Sequence, residues 1–181
     1  MKHLLICDNC GEDGHDWISI VGIGEPDELK DEIRTQFVDH INEYAIVYAD
    51  AIVDWDEASL EPDRAGMWVN DDQTNRHINW WTVPLDEHRH AIVRIHVLDG
   101  GGIEVTQVGG CDGLLDAVHA LKREYERERE HPSFYAGWDD EYCWIRDGRA
   151  ELTVETMDSQ VNLVLIDTDE RDININFEYL G

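Results

Sequence analysis

The sequence predicts an α+β fold: two amphipathic helices packed on a mainly antiparallel β-sheet, with a C-terminal three-strand meander. Three observations predict it. Leu29, Ile33, Phe37, Ile41 and Tyr44 recur at spacings of three and four, as do Leu114, Val118, Leu121 and Tyr125, so each set forms one buried helical stripe. Ile173, Ile175, Phe177 and Tyr179 alternate with Asp172, Asn174, Asn176 and Glu178, the pattern of a half-buried antiparallel strand. Strand-like runs outnumber helical ones, and turns such as Asp99-Gly100-Gly101-Gly102 give a strong hairpin signal.

Taken in order, residues 3–7 and 17–23 read as short strands around a polar turn rich in Gly and Asp. The first helix covers 26–43; Pro26 suits its first position, and Asp27 and Glu28 complement the positive end of its dipole. Residues 45–53 read as a largely buried strand. From Asp54 the periodicity is lost, so 54–76 is expected to be a long acidic loop or insertion, broken by a short strand at Met67–Val69. Strands follow at 77–84, 89–98 and 103–108. Asp112 is the expected cap of a second helix at 113–130. Glu124 with Arg127, and Glu126 with Arg129, stand three apart and support that helix; His131-Pro132 ends it. An aromatic segment, 133–144, leads to strands at 150–156, 160–166 and 172–179. No internal repeat stands out, and the chain is read as one α+β domain over 1–181.

The charge is extreme: 41 Asp+Glu against 14 Lys+Arg, a net −27 with His neutral. Only three of the cations are lysine (Lys2, Lys30, Lys122), and eleven are arginine. Such a balance resists compaction by self-repulsion and bears on environment and partners. At molar salt the Debye length is about 3 Å, so carboxylates barely repel one another. A salt-accumulating cytoplasm therefore favours an acidic, lysine-poor surface. The competing cause is mimicry, carboxylates standing in for nucleic-acid phosphates. A mimic has no reason to prefer Arg over Lys, which favours habitat. Direct nucleic-acid binding is not expected, because phosphate contact needs a basic footprint. No apolar run nears the roughly 18 residues of a membrane span, and Met1–Asp8 does not read as a signal peptide. The expected location is a salt-rich cytoplasm, or a virion. Four cysteines are too few for a disulfide scaffold, and Cys111 and Cys143 read as buried free thiols.

Cys7-Asp-Asn-Cys10-Gly resembles one half of a zinc knuckle or zinc ribbon, with His15 as a third ligand and Asp13, Cys111 or Cys143 as a fourth. A closed site needs four ligands, and the plain alternative is a tight turn with two incidental thiols. His88, His90, Ile92, Arg94 and His96 share one parity, and Ala91, Val93, Ile95 and Val97 the other. His88, His90 and His96 form a second candidate metal set, with His77 expected beside them. Against it stand exposed ion pairs with the many carboxylates, or a pH-sensitive surface.

Trp17, Trp55 and Trp138 adjoin acids, as glycan platforms do, but core packing explains most tryptophans. Asp167–Asp172 lacks the glycine and closing glutamate of a calcium loop. Gly22-Ile-Gly24 lacks the rest of a phosphate-binding turn, and Glu25 and Asp27 would repel phosphate. No complete catalytic set appears.

The expected function is therefore a non-catalytic, acidic protein-interaction protein adapted to high salt, from a halophile or a virus or plasmid of one. Its partner surface is expected at Trp55, Asp56 and Glu57 and at Tyr135, Trp138, Asp139 and Asp140. The alternatives are a nucleic-acid-mimic inhibitor and a metal-dependent enzyme using the histidine set; zinc is the one candidate cofactor.

Overall fold

A computed structural model describes residues 1–11, 14–47, 52–70, 75–98, 102–130, 143–146, 148–155 and 159–175; at 11, 14–17, 44–47, 52–58, 70, 143–146 and 155 it describes the backbone alone. The expected α+β class holds: two helices lie against antiparallel sheets. The chain divides into two compact units, Met1–Pro84 and Leu85–Gly181.

The first unit contains β1 (His3–Gly11), β2 (Gly14–Gly24), α1 (Pro26–Val47), β3 (Ile52–Leu60), β4 (Arg64–Asn70) and β5 (Asn75–Pro84). The second contains β6 (His90–Leu98), β7 (Gly102–Cys111), α2 (Leu114–Arg129), β8 (Cys143–Arg146), β9 (Arg149–Glu155) and β10 (Ser159–Asp167). The sheet orders are β2-β1-β5-β4-β3 and β7-β6-β10-β9-β8. These are one topology used twice, which corrects the expectation of no internal repeat.

The correspondence extends to single residues. In β2 the register skips Val21 opposite Leu5 and Ile6; in β7 it skips Val108 opposite Ile92 and Val93. Each bulge is followed by a glycine, Gly22 or Gly109. Leu29, Ile33 and Phe37 on α1 match Ala117, Leu121 and Tyr125 on α2, and all six are buried. Ala65, Met67 and Val69 on β4 match the buried Ala150, Leu152 and Val154 on β9. Each helix thus closes its own sheet over its own core. Every fully buried aliphatic or aromatic side chain in such a core contributes about 1.5–3 kcal/mol.

One matched position differs in kind. Cys7 lies in the first core, whereas its counterpart Arg94 places Nε 2.7 Å from Glu128 Oε1 on α2. The position of Glu128 is held on α1 by His40, whose ring packs edge-on to Trp80 at 5.2 Å. The helix-free faces are apolar and buried as well: Leu4 and Ile6 in one unit, Ala91, Val93, Ile95, Val164 and Ile166 in the other. Burial on both faces is why these strands read as continuous apolar runs.

Several expected boundaries are corrected. The strand expected at 45–53 does not form: α1 runs to Val47, and β3 begins at Ile52. A short apolar run has no period that separates helix from strand. The acidic stretch 54–76 is not a loop in its described part but β3, β4 and the start of β5. β3 is a sheet edge, and acids on an edge strand block pairing with other chains. The C-terminal meander is β8-β9-β10, one strand earlier than expected. Residues 172–175 are not strand; Ile173 is buried, Ile175 half-buried, and both pack on the second core. The expected strand's remaining residues, 176–179, lie outside the described residues, as does most of the aromatic segment 133–144.

Both helix starts differ in capping. Pro26 opens α1 as expected, and the Glu28 carboxylate accepts the Glu25 backbone N–H at 3.0 Å, half of a capping box. Gly113, not Asp112, is the N-cap of α2, with no side-chain cap bond. The Asp112 side chain is engaged elsewhere.

Candidate functional site

The cysteine motif was expected to bracket a turn, with both thiolates on one side. Instead Cys7 and Cys10 both lie within β1. Three residues apart on an extended strand, they fall on opposite faces, so the expected chelating pair is separated. Cys7 is 1% exposed and packs with Leu5, Ile33 and Phe37. Burial, and secondarily the neighbouring Asp8, push its thiol up to about 12, so it stays protonated at neutral pH.

Cys10 lies on the helix-free face and is half-buried. Its directly opposed partners are His15 on β2 and His77 on β5. Opposed residues stand about 4.5–5.5 Å apart at Cα and share a face. The His77 ring is stacked on Trp68, with centroids 4.6 Å apart and planes 3° from parallel. Its Nδ1 lies 3.4 Å from the Asn79 carboxamide nitrogen. Asp8, two residues back on the same face of β1, is buried. The side chain of His15 and the whole of Asp13 lie outside what is described. Among the described residues, no three His, Cys, Asp or Glu side chains converge on a metal-sized site.

The histidine set is divided by distance. The parity reading holds for β6: Ile92 enters the core beneath α2, and Arg94 reaches Glu128 on that helix. His90 and His96 share this face but stand six residues apart, roughly 20 Å at strand rise, so one ion cannot bind both. His96 faces Glu104, with Nδ1 3.8 Å from Oε2. His88 precedes the strand and is exposed. His77 was expected beside this row; it belongs to the other sheet.

What gathers instead is a polar network around the start of β6. The Asp112 carboxylate accepts the Arg89 backbone N–H at 3.2 Å and meets His88 Nδ1 at 3.4 Å. These bonds, the Arg89 N–H first, hold its carboxyl below the usual carboxylate range. His90, 3% exposed, donates from Nδ1 to the Asp112 carbonyl at 3.1 Å. Its Nε2 then faces Asp167 Oδ2 at 3.7 Å. Asp167, itself buried, also takes both Arg89 Nε at 3.2 Å and Arg89 Nη2 at 3.1 Å. Its other oxygen accepts the Asp169 N–H at 2.8 Å, so the segment read against a calcium loop is a turn closed by its own carboxylate. Gly110 lies against this cluster: a Cβ there would come within 2.6 Å of His88 Cδ2.

The network ties the end of β10 to the start of β6 and the entry to α2. The Arg89 guanidinium on Asp167 opposes a cation there. Asp112, Asp167 and Arg89 were not singled out as a group in the sequence. Asp167 and Arg89 lie 78 positions apart, and only the β6–β10 register, with Asp167 opposite His90, brings them together.

The side chains of Trp55, Asp56 and Glu57 on β3, and all of Tyr135, Trp138, Asp139 and Asp140, lie outside what is described, as do the side chains of Trp17 and Cys143. Cys111 is half-buried. No described helix is long and apolar enough to cross a membrane. Comparison with family models, curated proteins and solved structures finds no match to this chain.

Proposed function

We propose that this is a non-catalytic, acidic protein-interaction protein adapted to high salt, working in a salt-rich cytoplasm or in the virion of a virus from such a host. The observation that carries it is the distribution of charge over the duplicated units. Residues 1–84 hold 19 acids against 5 Lys+Arg, and residues 85–181 hold 22 against 9, so the units carry −14 and −13. A groove-filling mimic needs its carboxylates concentrated on one face. A solvent adaptation acts on all exposed surface alike, and even loading of both units fits that cause. Arginine outnumbering lysine eleven to three supports it too. The partner surface is assigned to the acidic edge strand β3 and to residues 133–144.

The test is tryptophan fluorescence of the purified chain from about 0.05 M to molar KCl, across which the Debye length falls from over 10 Å to about 3 Å. The native spectrum is expected only at high salt. A fully native spectrum at the lowest salt would overturn salt adaptation and make a nucleic-acid mimic the better explanation. Partner capture is then done in molar KCl, with charge-reversed variants at Asp54, Asp56 and Glu57 expected to lose the partner.

A further inference from the structure

We propose that the outer edge of β7 is the contact through which two copies of this chain pair, antiparallel about a two-fold axis, into one continuous sheet. Among the described residues β7 pairs with β6 alone, so its other side presents backbone N–H and C=O groups with no strand beside them. Ile103, Glu104, Val105, Thr106 and Gln107 form the regular stretch of this edge. Beyond it Val108 is the bulge, and the Gly109 carbonyl already accepts a hydrogen bond from Gln107 Nε2 at 3.0 Å. Ile103, Val105 and Thr106 are β-branched, the type that suits a strand.

Charge says what this edge takes. Acids are 41 of 181 residues, yet the ten residues of β7 hold one, Glu104, whose Oε2 lies 3.8 Å from His96 Nδ1. The edge strand β3 holds three, Asp54, Asp56 and Glu57. A basic partner is drawn to acids; a stretch cleared of them suits a partner that is itself acidic. At molar salt the Debye length is about 3 Å, so only carboxylates within the contact oppose such a partner. A second copy is that partner, and a two-fold contact must be self-complementary. Three of the six large apolar side chains exposed among the described residues flank β7: Leu98 opposite its start at Gly102, and Leu114 and Leu115 just past its end. Antiparallel pairing brings the Leu98 end of one copy beside the Leu114–Leu115 end of the other. The duplication supplies a control. β2 holds the same place in its own sheet, but α1 opens Pro26-Asp27-Glu28 where α2 opens Leu114-Leu115-Asp116. The topology therefore does not demand the two exposed leucines.

The test is sedimentation velocity of the full chain from micromolar to millimolar concentration. It is made at whatever KCl concentration gives the native tryptophan spectrum, so its outcome is separate from that of salt adaptation. The mass should move from one chain to two. Leu115→Glu alters a side chain that is 70% exposed, so the fold stays intact, and it should raise the dimer's dissociation constant about tenfold or more. A second measurement needs no variant. Alternate N–H groups of an edge strand point outward, so amide exchange at every second residue of Ile103–Gln107 should slow as concentration rises, while exchange in β2 should not. A one-chain mass at every concentration, a dimer that Leu115→Glu leaves as tight, or β7 exchange independent of concentration overturns the proposal. Concentration-dependent protection in β2 or β3 in place of β7 overturns it as well.

Discussion

Cys7 shows how a single residue's chemistry is set by its face of the strand. In sequence it is half of a metal motif; in the fold it is a small core hydrophobe whose thiol is pushed up to about 12. A group that holds its proton more tightly when folded adds stability that is complete below its unfolded value, 9.0. That stability is lost as the pH rises from there towards 12. At about 1.4 kcal/mol per pKa unit the loss approaches roughly 4 kcal/mol at the alkaline end. Alkaline unfolding followed by circular dichroism should therefore steepen above pH 9, and Cys7→Ala should remove that steepening. Below pH 9 Cys7 should resist alkylation until the chain is denatured. Asp112 has the opposite sign. Its carboxyl is held low by the Arg89 N–H and His88, so its contribution is complete above the ordinary unfolded carboxylate value, about 3.9, and is lost as pH falls through its lower folded value. Asp112→Asn should flatten the acid limb of the stability profile, and an NMR titration of the wild-type carboxyl should show a midpoint below the unfolded one.

At the level of elements, helices were more legible than strands. The stripe Leu29-Ile33-Phe37 names the buried face of α1, and Leu121 and Tyr125 lie at the centre of that of α2. Leu114, expected in the second stripe, is 38% exposed because α2 begins there and its first turn extends past the core. Ala117 and Ala120 fill the buried positions instead. Ile33→Ala and Leu121→Ala should each cost about 2–5 kcal/mol in denaturant unfolding, the range for emptying a packed core site. Hydrogen exchange should quicken first in the unit that carries the substitution, because each helix closes a separate core. The β8–β9 turn depends on a different property. Gly148 has φ +70°, and a Cβ there would run into Asp172 Oδ1. Gly148→Ala should destabilise the protein by at least about 1–2 kcal/mol from backbone strain alone, measured as a lower urea midpoint. The acidic β3 defeated pattern reading because its charges mark a sheet edge, not a loop, and nothing local distinguishes the two.

Over the whole molecule, the duplication and the charge follow different rules. The repeat was invisible in the sequence because the two units share positions and sizes but seldom residues: Phe37 answers Tyr125, Met67 answers Leu152, and Cys7 answers an arginine. A core accepts many apolar sets of similar volume, so topology persists while identity is lost. The net −27 was complete in the sequence, since charge is a sum over residues and needs no coordinates. So were the fold class, the Leu29-Ile33-Phe37 stripe of α1 and the parity of β6, each a matter of local period. Tertiary structure decided what depends on register between distant strands. It separated Cys7 from Cys10 and placed Cys10 between His15 and His77, and it joined Asp167 to Arg89 across 78 positions. Period fixes which side of a strand a residue occupies; only pairing fixes which residue lies opposite.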